Sequence, residues 1–133
     1  MTQKALSVRQ PWASLIVSGL KTIEIRSWPT SYRGPLYIPA AKTLDEMGMN
    51  RFQLESPPTG ALLGTVKVVK VELFTSELWD ELADKHLDNG AFLPGLYAWH
   101  LEDARFLPQP ISYRGDRSLP PVVLENSLSA TPI

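Results

Sequence analysis

The chain has 133 residues, of which 44% are hydrophobic and 20% are charged, a composition typical of one compact globular domain rather than a disordered segment. It contains no cysteine, which excludes disulfide bonds, thiol catalysis and cysteine-ligated metal sites and is compatible with a reducing cytoplasm. No apolar run approaches the ~18 residues of a membrane-spanning helix, and the first residues do not resemble a secretory signal. We therefore expect a cytoplasmic protein with no membrane partner.

The net charge is −1, but the charges are unevenly distributed along the chain. Acidic residues dominate residues 72–103, whereas cations dominate residues 1–42. The cations of the first segment are Lys4, Arg9, Lys21, Arg26, Arg33 and Lys42. A chain divided in this way can present a basic face to an anionic ligand despite its near-zero net charge.

The first predicted elements are a short strand over residues 6–8 and a helix that begins at Pro11. Proline suits the first turn of a helix because its missing N–H would be unpaired there in any case. Trp12, Leu15 and Ile16 lie at i, i+3 and i+4, which places them on one helical face and predicts that Trp12 is mostly buried. The alternative is that Trp12 is a platform on which a base stacks.

A strand that runs directly into a helix start leaves backbone N–H groups that attract phosphate or carboxylate. Gln10 lies at this predicted N-cap, and Arg9 stands beside it. Arg9, Gln10 and Trp12 are therefore candidate ligand-binding residues.

Residues 23–26 predict a strand in which two isoleucines face the core while Glu24 and Arg26 face the opposite side. Lys21 precedes this strand. The pattern brings two cations and one carboxylate together, which suits an anionic ligand and a carboxylate with a perturbed pKa. The alternative is a weak ion pair on the solvent face of an edge strand.

A turn-rich loop follows the strand and carries Trp28 and Arg33, and a short apolar strand then leads to Lys42. Aromatic side chains beside arginines can stack on bases or accompany phosphate contacts. Trp28, Arg33 and Lys42 are added to the candidate binding residues, although Trp28 could equally cover an edge of the core.

The next segments are predicted to form scaffold. Residues 43–54 have helical character, and Thr43 and Glu46 have the spacing of a capping box. Residues 61–74 predict a long central strand that bends where Val68–Val69 breaks the alternation.

The last predicted elements are an acidic amphipathic helix and a strand. The helix covers residues 75–87 and has Trp79 on its apolar face. The strand covers residues 97–106 and ends at Pro108 and Pro110. The two histidines lack a second ligand at metal-binding spacing, so no metal site is expected.

Residues 6–42 resemble the ASCH family, and within it the domain of the transcription cointegrator. The family motif G-x-K-x-x-E-x-R is matched by Gly19, Lys21, Glu24 and Arg26. The flanking segments at 10–15, 26–28 and 33–34 are also similar.

The resemblance implies an α+β fold, a small PUA-like mixed β-barrel flanked by two or three short helices. We expect the ASCH domain to cover residues 1–117 and residues 118–133 to form an extended tail. PUA-like folds are associated with RNA binding and RNA modification, although a fold does not by itself fix an activity.

The resemblance implies a binding module whose cationic cleft, built around the motif, holds RNA, another single-stranded nucleic acid or a nucleotide. One alternative is a hydrolase, since some ASCH proteins deacetylate N4-acetylcytidine and others are metal-dependent ribonucleases on single-stranded RNA. Lys21 and Glu24 would then be catalytic, and a divalent metal is expected only for the ribonuclease. The amidohydrolases, however, carry Thr at the position of Glu24, and here the nearest carboxylate on the central strand is Glu72. A third possibility is a protein-interaction domain that docks through the acidic helix.

Overall fold

The computed structural model describes residues 3–113 and 122–123. Its strands are β1 (Gln3–Lys4), β2 (Val8–Gln10), β3 (Ile23–Arg26), β4 (Gly34–Leu44), β5 (Ala61–Leu73), β6 (Tyr97–Ser112) and β7 (Val122–Val123). Its helices are α1 (Trp12–Val17), α2 (Glu46–Phe52), α3 (Ser76–Glu81) and α4 (Ala83–His86). Apart from β7, the predicted tail at 118–133 lies outside the described residues.

A mixed five-stranded sheet in the order β2-β4-β5-β6-β3 forms the centre of the fold. The β2–β4 pair is parallel and the other three pairs are antiparallel. β1 and β7 form a separate parallel pair. The predicted α+β fold is confirmed.

The sheet is not closed into the predicted barrel, because β2 and β3 remain at opposite ends of the strand order. β3 has only four residues, all of which pair with β6. The two edges are joined through a side chain instead, since Arg26 of β3 donates to the backbone oxygen of Ser7, next to β2, at 2.7 Å.

The central strand β5 confirms the predicted bend. β5 has β4 on one side and β6 on the other, and its register with β6 shifts between Val68 and Lys70. A bulge of this kind bends the strand and increases its twist. The register shifts again next to Gly64. A Cβ at this position would lie 2.0 Å from the backbone oxygen of Arg105, so only glycine fits there without a local rearrangement.

The prediction that two prolines end β6 is wrong, because the strand continues to Ser112. Gly64 pairs with Phe106 and Leu62 pairs with Ile111, so Pro108 and Pro110 fall in the irregular stretch between these pairs. Proline cannot donate to a ladder, and a bulge is a position where that donor is not needed.

The helices also differ from the sequence prediction in number and start. Thr43 belongs to β4, and Asp45 caps α2 instead by accepting a hydrogen bond from the backbone N–H of Gly48 at 3.2 Å. The acidic helix is divided at Leu82, so the described part of the chain has four short helices rather than two or three. None of these helices is long and apolar enough to cross a membrane.

The core consists of two clusters on the sheet. The larger cluster packs α1 against the sheet around Trp99, which is fully buried and meets the ring of Trp28 edge-on at 4.8 Å. The smaller cluster contains Ile23, Phe74 and Trp79 and lies beneath α3 and α4. The motif strand β3 therefore contributes Ile23 to the smaller cluster, with Ile25 packed against it, and leaves Glu24 and Arg26 on a different side.

Candidate nucleic-acid interface

A cleft of about 410 Å³ lies where the sheet fails to close, between the edge strands β2 and β3. Ser7, Val8 and Arg9 line one side, and residues 24–27 line the other. Trp12, Lys21, Asp45 and Asp88 complete the lining. Three of the four motif residues, Lys21, Glu24 and Arg26, line this cleft, because β3 is the edge strand that would otherwise pair with β2.

Glu24 joins the two cations of the motif. Its Oε2 accepts a hydrogen bond from Nε of Arg26 at 2.9 Å, and its Oε1 lies 3.8 Å from Nζ of Lys21. Glu24 and Lys21 are both buried, whereas the Arg26 side chain is 14% exposed. The cluster is therefore a largely buried ion-pair network rather than a surface pair, and removal of one member leaves an uncompensated buried charge.

Lys21 is held at the floor of the cleft by the end of α4. Its Nζ donates to the backbone oxygen of His86 and lies 5.1 Å from the centre of the Trp12 ring. Burial lowers the pKa of Lys21 below its ordinary value, against the opposing effect of the Glu24 carboxylate. The neutral form of this amine is thus more accessible than in an exposed lysine.

Trp12 is mostly buried, as expected, and packs against the larger core cluster, but part of it remains exposed. Its indole Nε1 donates to Oδ2 of Asp45 at 2.8 Å, and its ring packs edge-on against Phe52 at 5.5 Å. The hydrogen bond from Trp12 is the main cause that lowers the pKa of Asp45, so this carboxylate stays ionised. Trp12 is therefore fixed by packing and hydrogen bonding while part of its ring faces the cleft.

At the start of α1, where the sequence predicts an anion site, one backbone N–H is already bound within the protein. The helix has six residues, and the backbone N–H of Ser14 already donates to Oε1 of Gln10 at 3.0 Å. Gln10 is fully buried, and its Nε2 donates to the backbone oxygen of Pro58 at 2.8 Å. Gln10 thus connects α1 to a distant loop and does not line the cleft.

Three other candidate binding residues lie outside the cleft. Trp28 packs in the core against Trp99, and Arg33 donates to the backbone oxygens of Thr30 and Tyr32. Lys42 lines a separate cavity of about 360 Å³. The cations of the first 42 residues therefore converge only in part.

Two carboxylates of the cleft, Asp45 and Asp88, were not recognised in the sequence. The capping-box spacing of Thr43 and Glu46 predicts a helix cap at Thr43 instead of Asp45. The local signal for Asp45 is that it lies three residues before Gly48, the spacing of an N-cap side chain and the backbone N–H that it binds. Arg9, Lys21 and Arg26 face Glu24, Asp45 and Asp88, so the formal charges cancel. The cleft is charge-balanced rather than cationic.

Within the described residues, no group of three or more His, Asp or Glu side chains is arranged to hold a metal ion. Glu24 directs both oxygens toward cations, and the ring Nε2 of His100 lies 2.6 Å from Glu72.

The sequence model of the ASCH domain matches residues 6–111. The chain belongs to the ASCH domain family. Its ASCH domain is 42% identical over 78 residues to human activating signal cointegrator 1 and 38% identical to the mouse protein. These alignments cover 48% of the chain but only 13% of each relative, so the chain matches a small part of a much longer protein.

Solved structures also resemble this ASCH domain. The crystal structure of ASCH from Zymomonas mobilis matches with a TM-score of 0.65 and 18% identity, over 90% of this chain and 85% of the other. A point mutant of that protein matches with a TM-score of 0.59. At this identity the likeness shows the fold alone.

Proposed function

We propose that this ASCH domain binds single-stranded nucleic acid, RNA foremost, or a nucleotide in the cleft between β2 and β3. The observation that carries the proposal is the partly exposed Trp12 ring beside the exposed Arg9, above a buried floor of charged, hydrogen-bonding side chains. An aromatic ring next to an arginine supplies a stacking surface for a base and a contact for its phosphate. Membership of the family supports the same ligand class.

The charge balance favours a base rather than a phosphate at the floor. Lys21 and Arg26 already face Glu24, so a phosphate placed there would compete with a buried carboxylate. Amine, guanidinium and carboxylate groups together offer both donors and acceptors, which suits the polar edge of a nucleobase. The volume of about 410 Å³ lies within the range of small-ligand sites.

Arg9 is the cation best placed for phosphate. It is exposed at the rim, and its charge acts on Asp45 of the same cleft. A base can reach the floor only when it is unpaired, so a single strand is the preferred form of the ligand.

Binding of fluorescein-labelled single-stranded RNA, followed by fluorescence anisotropy over a salt series, tests this proposal. Arg9→Ala should weaken binding by about 1–3 kcal/mol if the arginine makes a charge-assisted contact. It should also lower the slope of log affinity against log salt by the amount that corresponds to about one phosphate contact. Arg105→Ala is the matched control, because Arg105 is an exposed arginine on β6 outside the cleft. Matched single-stranded DNA, duplex RNA and free nucleotides identify the preferred ligand.

Two substitutions at Trp12 test the stacking role separately. Trp12→Phe keeps an aromatic ring but removes the donor to Asp45, so it should lower stability by about 1 kcal/mol and largely preserve binding. Trp12→Ala should cost about 1–3 kcal/mol of binding. If the wild-type protein bound neither RNA, single-stranded DNA nor nucleotides at low salt, the proposal would be removed. A protein-interaction domain would then be favoured, for which the exposed acids of α3 and α4 offer a surface.

A second candidate function is hydrolysis of the bound RNA or modified nucleoside. Lys21 favours it, because a lysine with a lowered pKa that faces a cleft can take part in proton transfer or stabilise developing charge. Two features disfavour hydrolysis. Both oxygens of Glu24 face cations, so this carboxylate is poorly placed to act as a base, and Glu72 contacts His100 outside the cleft.

Product analysis separates binding from hydrolysis. The protein would be incubated with single-stranded RNA and manganese or magnesium, and separately with N4-acetylcytidine. Cleavage of either substrate that is lost in Lys21→Met would establish the enzyme. Intact substrates in the presence of an active control enzyme would leave the binding module as the function.

A further inference from the structure

A second cavity adjoins the cleft on the far side of Trp12. It has a volume of about 570 Å³ and shares Trp12, Asp45 and Asp88 with the first cleft. The rest of its lining comes from α2 and the loop after α4, namely Met47, Gly48, Asn50, Arg51, Asn89 and Gly90. The two cavities therefore meet along one boundary, and the hydrogen bond between Trp12 and Asp45 fixes that boundary.

The side chains of the second cavity suit a base and its phosphate. Asn50 and Asn89 are exposed amides, each of which can both donate and accept hydrogen bonds. Met47 is 83% exposed, an unusual position for an apolar side chain with no cover, and its thioether adapts to flat ligands. Arg51 contributes a cation.

Arg51 also connects the two cavities. Its guanidinium lies over the Phe52 ring at 4.6 Å, and Phe52 in turn packs against Trp12 at 5.5 Å. Arg51 donates to the backbone oxygen of Leu87, directly before Asp88. Arg51 is therefore held, through Phe52 and the backbone before Asp88, next to the residues that the two cavities share.

We propose that this second cavity is a subsite for a neighbouring nucleotide, so that the ligand is a single-stranded oligonucleotide of at least two nucleotides. The inference rests on the proposed function of the first cleft. One base occupies the cleft next to Lys21 and Glu24, and the adjoining base occupies the cavity beside Met47 and Asn50. Trp12 lies between the two bases.

The linking phosphodiester has to cross a boundary that carries Asp45 and Asp88. Two arginines offset this repulsion, one on each side of it. Arg9 is close enough to Asp45 to add to the lowering of its pKa, which the Trp12 hydrogen bond dominates. Arg51 lies on the other side. The pKa of Lys21 is lowered mainly by burial, and the charge of Arg51 adds to this lowering whereas the charge of Asp88 opposes it.

The test compares a nucleoside 3′-monophosphate with the dinucleoside monophosphate of the same base, by calorimetry at fixed salt. The dinucleotide adds one nucleoside but carries less negative charge, so any gain in affinity comes from the second nucleoside rather than from charge. We expect the dinucleotide to bind about 5-fold tighter or more, the effect of one stacked base. Equal affinity for the two ligands would overturn the subsite.

Substitutions assign the gain to this cavity. Met47→Ala and Asn50→Ala should each reduce the dinucleotide advantage by about 3-fold or more and leave the mononucleotide affinity unchanged. The matched controls are Leu93→Ala and Gln109→Ala, which are exposed positions outside both cavities and should preserve the advantage. Equal loss for both ligands would overturn the assignment, whereas no binding of either ligand by the wild type would show that the proposed function itself is wrong.

Discussion

At the scale of single residues, the central feature is Glu24, a buried carboxylate between two cations. It is 7% exposed, and it contacts Arg26 at 2.9 Å and approaches Lys21 to 3.8 Å. Glu24 contacts both cations, while Lys21 also meets a backbone oxygen and an aromatic ring and feels the charge of Asp88. The motif spacing thus has a structural purpose that is independent of any ligand.

Glu24→Gln should lower the free energy of unfolding by about 3 kcal/mol, since it removes the carboxylate that Lys21 and Arg26 both contact in a largely buried site. Urea unfolding at neutral pH measures this change. Glu102→Gln, an exposed position on β6, is the control and should change stability by less than about 0.5 kcal/mol. Equal stability of Glu24→Gln and the wild type would show that the carboxylate is kept for ligand binding alone.

At the scale of elements, α2 depends on a close contact between Gly48 and Pro11. A Cβ at position 48 would lie 2.9 Å from Cδ of Pro11 and 3.3 Å from the Asp45 side chain. Glycine has a low helix propensity, but here the structure gives it a packing role. The contact lets Asp45 cap α2 and at the same time accept from Trp12 at the cleft.

Gly48→Ala combines a gain in helix propensity of about 1 kcal/mol with a clash against a rigid proline ring. We expect the clash to dominate, with a net loss of about 1–2 kcal/mol of stability and weaker ligand binding. Thermal unfolding measures the first effect and RNA anisotropy the second.

Asn50→Ala is the matched control for the stability measurement alone, because it offers a similar gain in helix propensity at an exposed position of the same helix but lies in the proposed second subsite. It should preserve or slightly raise the melting temperature. A stabilised Gly48→Ala protein would show that α2 can move away from Pro11 at little cost.

At the scale of the whole molecule, His86 couples the smaller core cluster to the cleft. Its fully buried ring packs 4.3 Å from the ring of Trp79, Nε2 lies 2.9 Å from the Trp79 carbonyl, and Nδ1 accepts from the backbone N–H of Asp88. These contacts fix the tautomer with the proton on Nε2. The backbone oxygen of the same residue accepts from Lys21, so His86 positions two residues of the cleft.

Burial lowers the pKa of His86 below its ordinary value, and the charge of Lys21 acts in the same direction against Asp84 and Asp88. The unfolded chain therefore binds this proton more readily than the folded protein does. Stability should be full above about pH 6.5 and should decrease as the pH falls below it, by up to about 1.4 kcal/mol per pH unit for one proton.

Urea unfolding between pH 7.5 and pH 5 measures this dependence. His86→Gln should flatten it, whereas His100→Gln should retain the part that belongs to His86. An NMR titration of the His86 ring provides a direct check that does not require a stable variant. A ring that titrates at or above the ordinary histidine pKa would contradict this account.

The sequence by itself determined part of the local structure of the ASCH domain. The motif residues Lys21, Glu24 and Arg26 could be assigned to one strand and its start. The break in the alternation at Val68–Val69 predicted a bend in β5, and the register with β6 shifts between Val68 and Lys70. These features depend on side-chain period and on neighbours a few residues apart, which a sequence shows directly. The family could be recognised for the same reason.

Only the tertiary structure decided where the cleft lies and which residues line it. The cleft exists because β2 and β3 come to the two free edges of the sheet, a result of pairing between strands far apart in the chain. That topology brings Asp45 and Asp88 beside Trp12, buries Gln10 and Trp28, and leaves Arg33 and Lys42 outside. Spacing in the sequence carries no information on such contacts, since they depend on how the whole sheet buries its apolar faces.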